Sequence, residues 1–465
     1  MTIFSLSFLC FFVLFLFFFL IEGKVKNIKM QHAVLFIGNL LFYMMGDYRF
    51  IFLLLGVIVV CYICAIFYEK TNRKMVIQAS AAMCILILLF FKYLDSFTLF
   101  LARIFHIKSQ VVFNIVLPFG ISFYLFQAMS YLFDVQRGAV KVERNFLKLA
   151  IYISFFPVIT AGPIIKSRDF LPQLNKLHTI KKENIYEGIQ LFLTGLTKKL
   201  VFADRIGIAV DAVFSAPVAY NSISIIFAIV GYSMQIYFDF SGYSDMAIGI
   251  AKICDFDLNQ NFNAPYLAQN PSEFWRRWHI SLSSWFKEYV YIPLGGNRKG
   301  KLRTYINLFI TMVLSGIWHG ANFTFIVWGA IHGLGGVAHK IIQDIFNSRS
   351  LNDYSIIRII SNILNCIFVS LAWVFFKANT VADAIIFLKQ IGNNTGLFYI
   401  NVYVVGTLIL MILANIYSIC YNNGNAIQIR IDLDKVWGKI VISAWFFAIL
   451  MLMYVGNQNF IYAQF

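Results

Sequence analysis

Residues 3–21 read Ile3-Phe-Ser-Leu-Ser-Phe-Leu-Cys-Phe-Phe-Val-Leu-Phe-Leu-Phe-Phe-Phe-Leu-Ile21, without one charged side chain. A helix needs roughly 20 apolar residues to cross the hydrocarbon core of a bilayer. The run has no basic segment before it and no small-residue cleavage site after it, so it reads as a retained span and not a signal peptide. The pattern then repeats. Apolar runs of spanning length lie near 31–46, 50–68, 75–91, 111–133, 148–165, 186–202, 222–250, 304–318, 323–341, 355–376, 400–420 and 438–456. These predict an all-α, polytopic membrane protein of roughly eleven to thirteen transmembrane or re-entrant helices. No internal repeat or low-complexity linker interrupts them, so residues 1–465 read as a single integral membrane domain.

Composition agrees. The chain is 60% hydrophobic and 13% charged, with fifty phenylalanines, more apolar side chain than a soluble fold of this size hides. A formal charge of +16 in a soluble protein would suggest nucleic acid. Here the lysines and arginines punctuate apolar runs and form no continuous groove, so no nucleic-acid partner is expected. Basic loops at 22–30 (Lys24, Lys26, Lys29), 69–75 (Lys70, Arg73, Lys74) and 136–148 (Arg137, Lys141, Arg144, Lys148) alternate along the spans. They predict cytoplasmic loops and an extracytoplasmic amino terminus. The loop near 93–110, with Arg103 and Lys108, runs against that bias. Cys61 and Cys64 have CxxC spacing on a predicted membrane helix; no second pair completes a zinc site, and they read as small hydrophobes.

Residues 251–303 differ from their surroundings. Asn259, Asn261, Asn263 and Asn270 make a polar loop closed by Pro271. Ser272 can cap a following helix, though Trp275 stands where a capping box needs glutamate. Trp275, Trp278, Leu282, Trp285, Phe286 and Tyr289 recur at helical steps and predict one amphipathic helix, which lies at an interface or lines a cavity. It exits through Pro293-Leu-Gly-Gly-Asn-Arg298 into a basic loop on the cytoplasmic side.

Histidine is rare, seven in 465 residues, and an ionisable group at membrane depth is expensive enough to suggest function. His319 closes the 304–318 run and precedes Gly320, whose missing side chain lets a substrate or another backbone approach. The competing reading is a core histidine bonded to a carbonyl. His279 falls on the Trp275–Leu282–Phe286 face, as an inward-facing group or as one snorkelling beside tryptophans. His332, after Trp328-Gly329, joins these two or merely packs. Three histidines can bind zinc, but no short ligand spacing supports a metal site. Asp239 and Asp245, in Tyr237-Phe-Asp-Phe-Ser-Gly-Tyr-Ser-Asp245, need partners: they orient a histidine, line a cavity, or pair with Arg276 or Arg277.

These segments together resemble the membrane-bound O-acyltransferase family, in its bacterial alginate O-acetylation branch. The resemblance runs through Leu117-Pro-Phe-Gly-Ile-Ser-Phe-Tyr-Leu-Phe-Gln127, Ser130-Tyr131, Asp134 and Arg137-Gly138. It continues through Phe156-Pro157, Ala161-Gly-Pro-Ile164, Gly195-Leu-Thr-Lys-Lys199 and Ala203-Asp204. The most specific blocks are Tyr237 to Met246, Phe274 to Arg298 and Ile317 to Gly333. The tail Phe460-Ile-Tyr-Ala-Gln-Phe465 resembles the branch's ending, with Ala463 in place of an aromatic residue; Lys377 stands where arginine is commoner.

The resemblance implies a ring of membrane helices around a thin centre, with funnels from both faces meeting near the histidines. His319 matches the family's catalytic histidine, and His279 the position where this branch carries histidine. The expected activity is transfer of an acetyl group from a cytoplasmic thioester, such as acetyl-CoA, to an exported polysaccharide: alginate, peptidoglycan or another glycan. Transfer is direct or through a periplasmic, esterase-like partner, in the bacterial inner membrane. No bound cofactor is expected. His319 is expected to act as general base, with His279 or nearby amides holding the oxyanion. Trp275, Arg276, Arg277, Trp278, Trp318, Gly320, His332, Asp239 and Asp245 are the expected substrate-lining residues. The nearest rival is D-alanyl transfer to teichoic acid from a carrier-protein thioester. The other is a transporter or flippase for a lipid-linked sugar, which explains the spans but not the ordered motifs.

Overall fold

The computed structural model describes residues 3–105, 113–346, 355–454, 456 and 461. The tail motif at 460–465 lies outside these apart from Ile461. Among the described residues the regular structure is helical, with one isolated parallel bridge between Tyr220 and Leu397. Among the described residues, six helical stretches are long and apolar enough to cross a membrane: Ile28–Thr71, Lys74–Ala102, Ser222–Ile253, Phe323–Ile345, Ile356–Lys377 and Val402–Tyr421. Leu6–Ile21 and Val436–Leu452 are shorter apolar helices. The first stretch turns at Tyr48–Phe50 into two helices, Ile28–Asp47 and Ile51–Thr71. Leu14, Phe52, Leu86, Ile363 and Leu413 are each more than half exposed on these helices. Such side chains suit lipid, because helices satisfy their own backbone and can leave an apolar surface outward.

Some expected spans take another form. The run 148–165 is a helix only over Phe146–Ser154. Pro157 has no N–H to continue the ladder and disfavours helix in the residue before it. Asn39 takes up the groups freed by the break. Its amide donates to the Ile151 carbonyl at 3.4 Å and to Ser154 Oγ at 3.2 Å, and its Oδ1 accepts the Phe156 N–H at 3.0 Å. In the run 111–133 the helix begins at Ile121 and ends at Gln136; residues 111–112 lie outside the described set. Runs 186–202 and 304–318 are helical but are not among the stretches long and apolar enough to cross a membrane.

The chain divides into two compact units, Met1–Phe192 with Ser244–Asn259, and Leu193–Tyr243 with Gln260–Phe465. In the first, Phe8, Phe11 and Phe15 pack on Phe42 and Phe156. In the second, helices Lys301–His319 and Phe323–Phe346 form a hairpin. Its two backbones touch at Gly316 and Gly329: a Cβ on Gly329 would lie 2.6 Å from the Met312 carbonyl and 3.2 Å from Gly316 Cα. Small residues permit this approach where lipid supplies no driving force between helices. The hairpin turn sets His319 at the end of its helix. Every residue proposed for the site except Asp245 belongs to this unit.

Candidate active site

The predicted amphipathic helix is broken at the proposed site. It forms two short helices, Pro271–Arg277 and Ile280–Phe286. Its N-cap is Asn270, not Ser272: the Asn270 side chain accepts the Glu273 N–H at 2.8 Å and Pro271 opens the helix. Glu273 Oε2 in turn accepts the Gln269 N–H at 2.9 Å. Trp278 is extended and His279 is left-handed, with φ of 41°. The polar loop preceding the helix compensates the break. The Asn263 N–H donates to the Arg277 carbonyl at 2.9 Å, and the Ile280 N–H to the Asn261 carbonyl at 2.9 Å. A left-handed non-glycine residue costs about 1–3 kcal/mol and persists only where its surroundings fix it; these bonds fix it here.

Asn261 also fixes the His279 tautomer. Its Oδ1 accepts the Ser281 backbone N–H at 3.1 Å and the Ser281 hydroxyl at 2.9 Å, so the oxygen, not the amide nitrogen, faces the imidazole. His279 Nδ1 lies 3.2 Å from that oxygen and must carry the proton. Nε2 is therefore the lone-pair nitrogen. Burial holds the His279 pKa down at about 3, so the ring is neutral at physiological pH. A neutral ring in this tautomer accepts at Nε2 and cannot donate there to an oxyanion.

His279 and His319 meet the same indole. The Trp318 ring lies 6.5 Å from His279 and 4.9 Å from His319, centroid to centroid. His319 is 2% exposed. Trp328 and Phe376 stand edge-on to its ring at 5.1 and 5.0 Å. Beside Gly320 stands the Phe325 ring, which a Cβ there would meet at 2.7 Å and which itself packs on His319. His332 joins the layer through Trp328 at 4.9 Å and Trp275 at 5.1 Å. Neither of its ring nitrogens has a hydrogen-bond partner among the described residues. Trp278 packs on Trp373 at 5.0 Å. The three histidines thus share one aromatic layer. Among the described residues no group of three or more His, Cys, Asp or Glu side chains is placed to hold a metal ion.

The acidic residues fall elsewhere. Asp239 does not pair with Arg276 or Arg277. It meets Lys199 at 2.6 Å, and Lys199 meets Asp204 at 2.8 Å, both pairs being buried. The Ile461 N–H donates to the other Asp239 oxygen at 2.8 Å. Arg277 instead bonds Glu273 at 2.9 Å and the Gly424 carbonyl at 2.8 Å. Arg276 is exposed. Asp245 lies further along the Asp239 helix, in the first compact unit. Sequence reasoning missed Asn261 and Lys199 as site-forming residues. A lysine inside an apolar run was the available signal, since it requires counter-charges at that depth.

Residues 2–379 match the membrane-bound O-acyltransferase family, and the chain belongs to that family. It is a multi-pass membrane protein. It is 42% identical over 276 residues to a Pseudomonas fluorescens protein named "Probable alginate O-acetylase AlgI", covering 59% of this chain and 54% of that one. It is 34% identical over 411 residues to the "Peptidoglycan O-acetyltransferase" of Helicobacter pylori, covering 82% and 77%. It is 31% identical over 234 residues to the "Teichoic acid D-alanyltransferase" of Bacillus subtilis, covering 48% and 58%. The chain thus spans about half the length of the Pseudomonas fluorescens relative.

Proposed function

We propose that this protein transfers an acetyl group from a cytoplasmic thioester, such as acetyl-CoA, to a hydroxyl of an extracytoplasmic polysaccharide, directly or through a periplasmic partner carrying a hydroxyl. The observation that carries the reading is the pairing of His319 and neutral His279 across Trp318 inside a buried aromatic layer. It is joined by the acyl-transferring names of the relatives.

The chemistry needs few groups. The hydroxyl oxygen attacks the thioester carbonyl carbon while His319 takes its proton. The C–S bond then breaks, and the thiolate leaves and recovers the proton as a thiol. A buried aromatic setting keeps competing water away. His279, as a fixed acceptor at Nε2, orients an O–H or N–H of a substrate, and the oxyanion falls to N–H donors nearby. His332, Trp275, Trp278 and Gly320 shape the same layer. Arg276, exposed on the amphipathic segment, suits the phosphates of a donor such as acetyl-CoA, and Arg277 braces that segment. Asp239 serves through the Lys199 network, as structure.

Arg298 and Lys299 precede, and Lys301 and Arg303 open, the helix that ends at His319. By the positive-inside bias they are cytoplasmic, in a bacterial inner membrane. Two measurements test the function. Purified protein should consume an acyl thioester, and mass spectrometry should find envelope glycans losing acetyl esters when the protein is deleted. D-alanyl esters lost in their place would replace the proposal with the teichoic acid reading.

A further inference from the structure

A cavity of about 1000 Å³ lies in the second unit, on the side of the hairpin turn that carries His319. Phe325 and Phe376 line it, and the same two rings pack on the His319 imidazole at 6.3 and 5.0 Å. His319 thus stands one ring-layer behind the cavity wall. Gln235 also lines it; this side chain is 5% exposed, and its Oε1 has no hydrogen-bond partner among the described residues. A buried amide oxygen left unmatched is destabilising, which points to a ligand donor that meets it. Among the described residues the charged lining groups are Asp211, Lys377 and Asp383. Lys377 is already held by Asp211 at 2.6 Å, so the lining carries a net negative charge.

We propose that this cavity seats the acceptor as an uncharged sugar ring and discriminates against uronates. The inference rests on the acyl-transfer reading above. Aromatic walls with a few convergent acceptors suit a neutral pyranose: its C–H faces pack on rings, and its hydroxyls donate to amide and carboxylate oxygens. A uronate would bring its own carboxylate toward Asp211 and Asp383, with the one lining ammonium already engaged. Like charges brought together across a binding surface suppress a wrong partner. The volume is at the upper end of the roughly 300–1,000 Å³ usual for ligand pockets, so it has room for more than one ring.

The test measures binding without donor. Full-length protein in detergent is titrated calorimetrically with an N-acetylglucosamine tetramer and with a mannuronate tetramer. The neutral tetramer should bind at least tenfold tighter. Gln235→Leu should weaken it at least tenfold, and Gln235→Glu, which keeps the shape and adds charge, should weaken it as well. Asp211→Asn combined with Asp383→Asn should bring the mannuronate tetramer closer to the neutral one. Equal or tighter mannuronate binding by the wild type overturns the proposal. So does a neutral tetramer that fails to bind, or one that binds folded, monodisperse Gln235 variants unchanged. Thioester consumption by the wild type is scored separately: its absence removes the acyl-transfer reading, whereas its presence beside failed sugar selectivity removes this inference alone.

Discussion

His319 sits among Trp318, Trp328, Phe325 and Phe376, so packing and base catalysis both depend on it. The two roles separate by choice of substitution. His319→Ala opens a hole among the rings and costs stability as well as chemistry. His319→Gln keeps much of the volume and cannot act as a base near neutral pH. For His319→Gln we expect near-normal abundance in the membrane and turnover reduced by about 10²-fold or more. Acetylation per inserted protein close to wild type would remove His319 from the mechanism. His279 yields a prediction in pH. Its ordinary pKa is about 6.5 and its folded value about 3. Between those values the unfolded chain binds a proton that the folded chain refuses. The contribution is therefore complete above pH 6.5 and declines as pH falls toward 3. The thermal midpoint of the wild type in detergent should drop on moving from pH 7 to pH 5, and the drop should be smaller for His279→Gln. Parallel curves for the two proteins would contradict a buried neutral imidazole.

The helical hairpin is the element that delivers His319, and its close approach at Gly316 and Gly329 can be tested directly. A methyl at Gly329 would lie 2.6 Å from the Met312 carbonyl and 3.2 Å from Gly316 Cα. Backbone cannot yield as a flexible side chain does, so Gly329→Ala should cost about 1–3 kcal/mol by overpacking. It should lower the melting temperature and, by displacing the hairpin turn, the activity of the protein that remains inserted. Unchanged melting would show that the helices are not in contact there. Most elements could be read from sequence because apolar runs announce helices, and the position of His319 at the end of one was legible there too. The break at Trp278–His279 could not be read. Periodicity continued through it in Trp275, Trp278, Leu282 and Trp285, while the deciding bonds come from Asn261 and Asn263, outside any helical window. The Lys199 partnership of Asp239 was hidden likewise, because spacing along the chain does not show which side chains meet after folding. Pro157 was legible in hindsight: it ends a helix that hydrophobicity alone would continue to residue 165.

For the whole molecule, sidedness follows from where the cations lie relative to the spans. In the first unit, Lys26 and Lys141 are exposed in the turns preceding Ile28–Asp47 and Phe146–Ser154, and both belong to basic loops. In the second unit, Lys299 stands just before Lys301–His319, whereas Val218, 65% exposed, borders the cavity proposed for the acceptor. The positive-inside bias puts Lys26, Lys141 and Lys299 in the cytoplasm. The acceptor reading puts Val218 outside, because the exported glycan must reach it. Seven native cysteines, free in the structure, would first be replaced by alanine or serine. Single cysteines at the four positions can then be challenged in intact cells with a membrane-impermeant maleimide. Val218→Cys should label, while Lys26→Cys, Lys141→Cys and Lys299→Cys should label only after the membrane is opened. Labelling of Lys26→Cys and Lys141→Cys from outside would invert the first unit. Protection of Val218→Cys with labelling of Lys299→Cys would place the cavity on the donor side, and the acceptor assignment would fall with it.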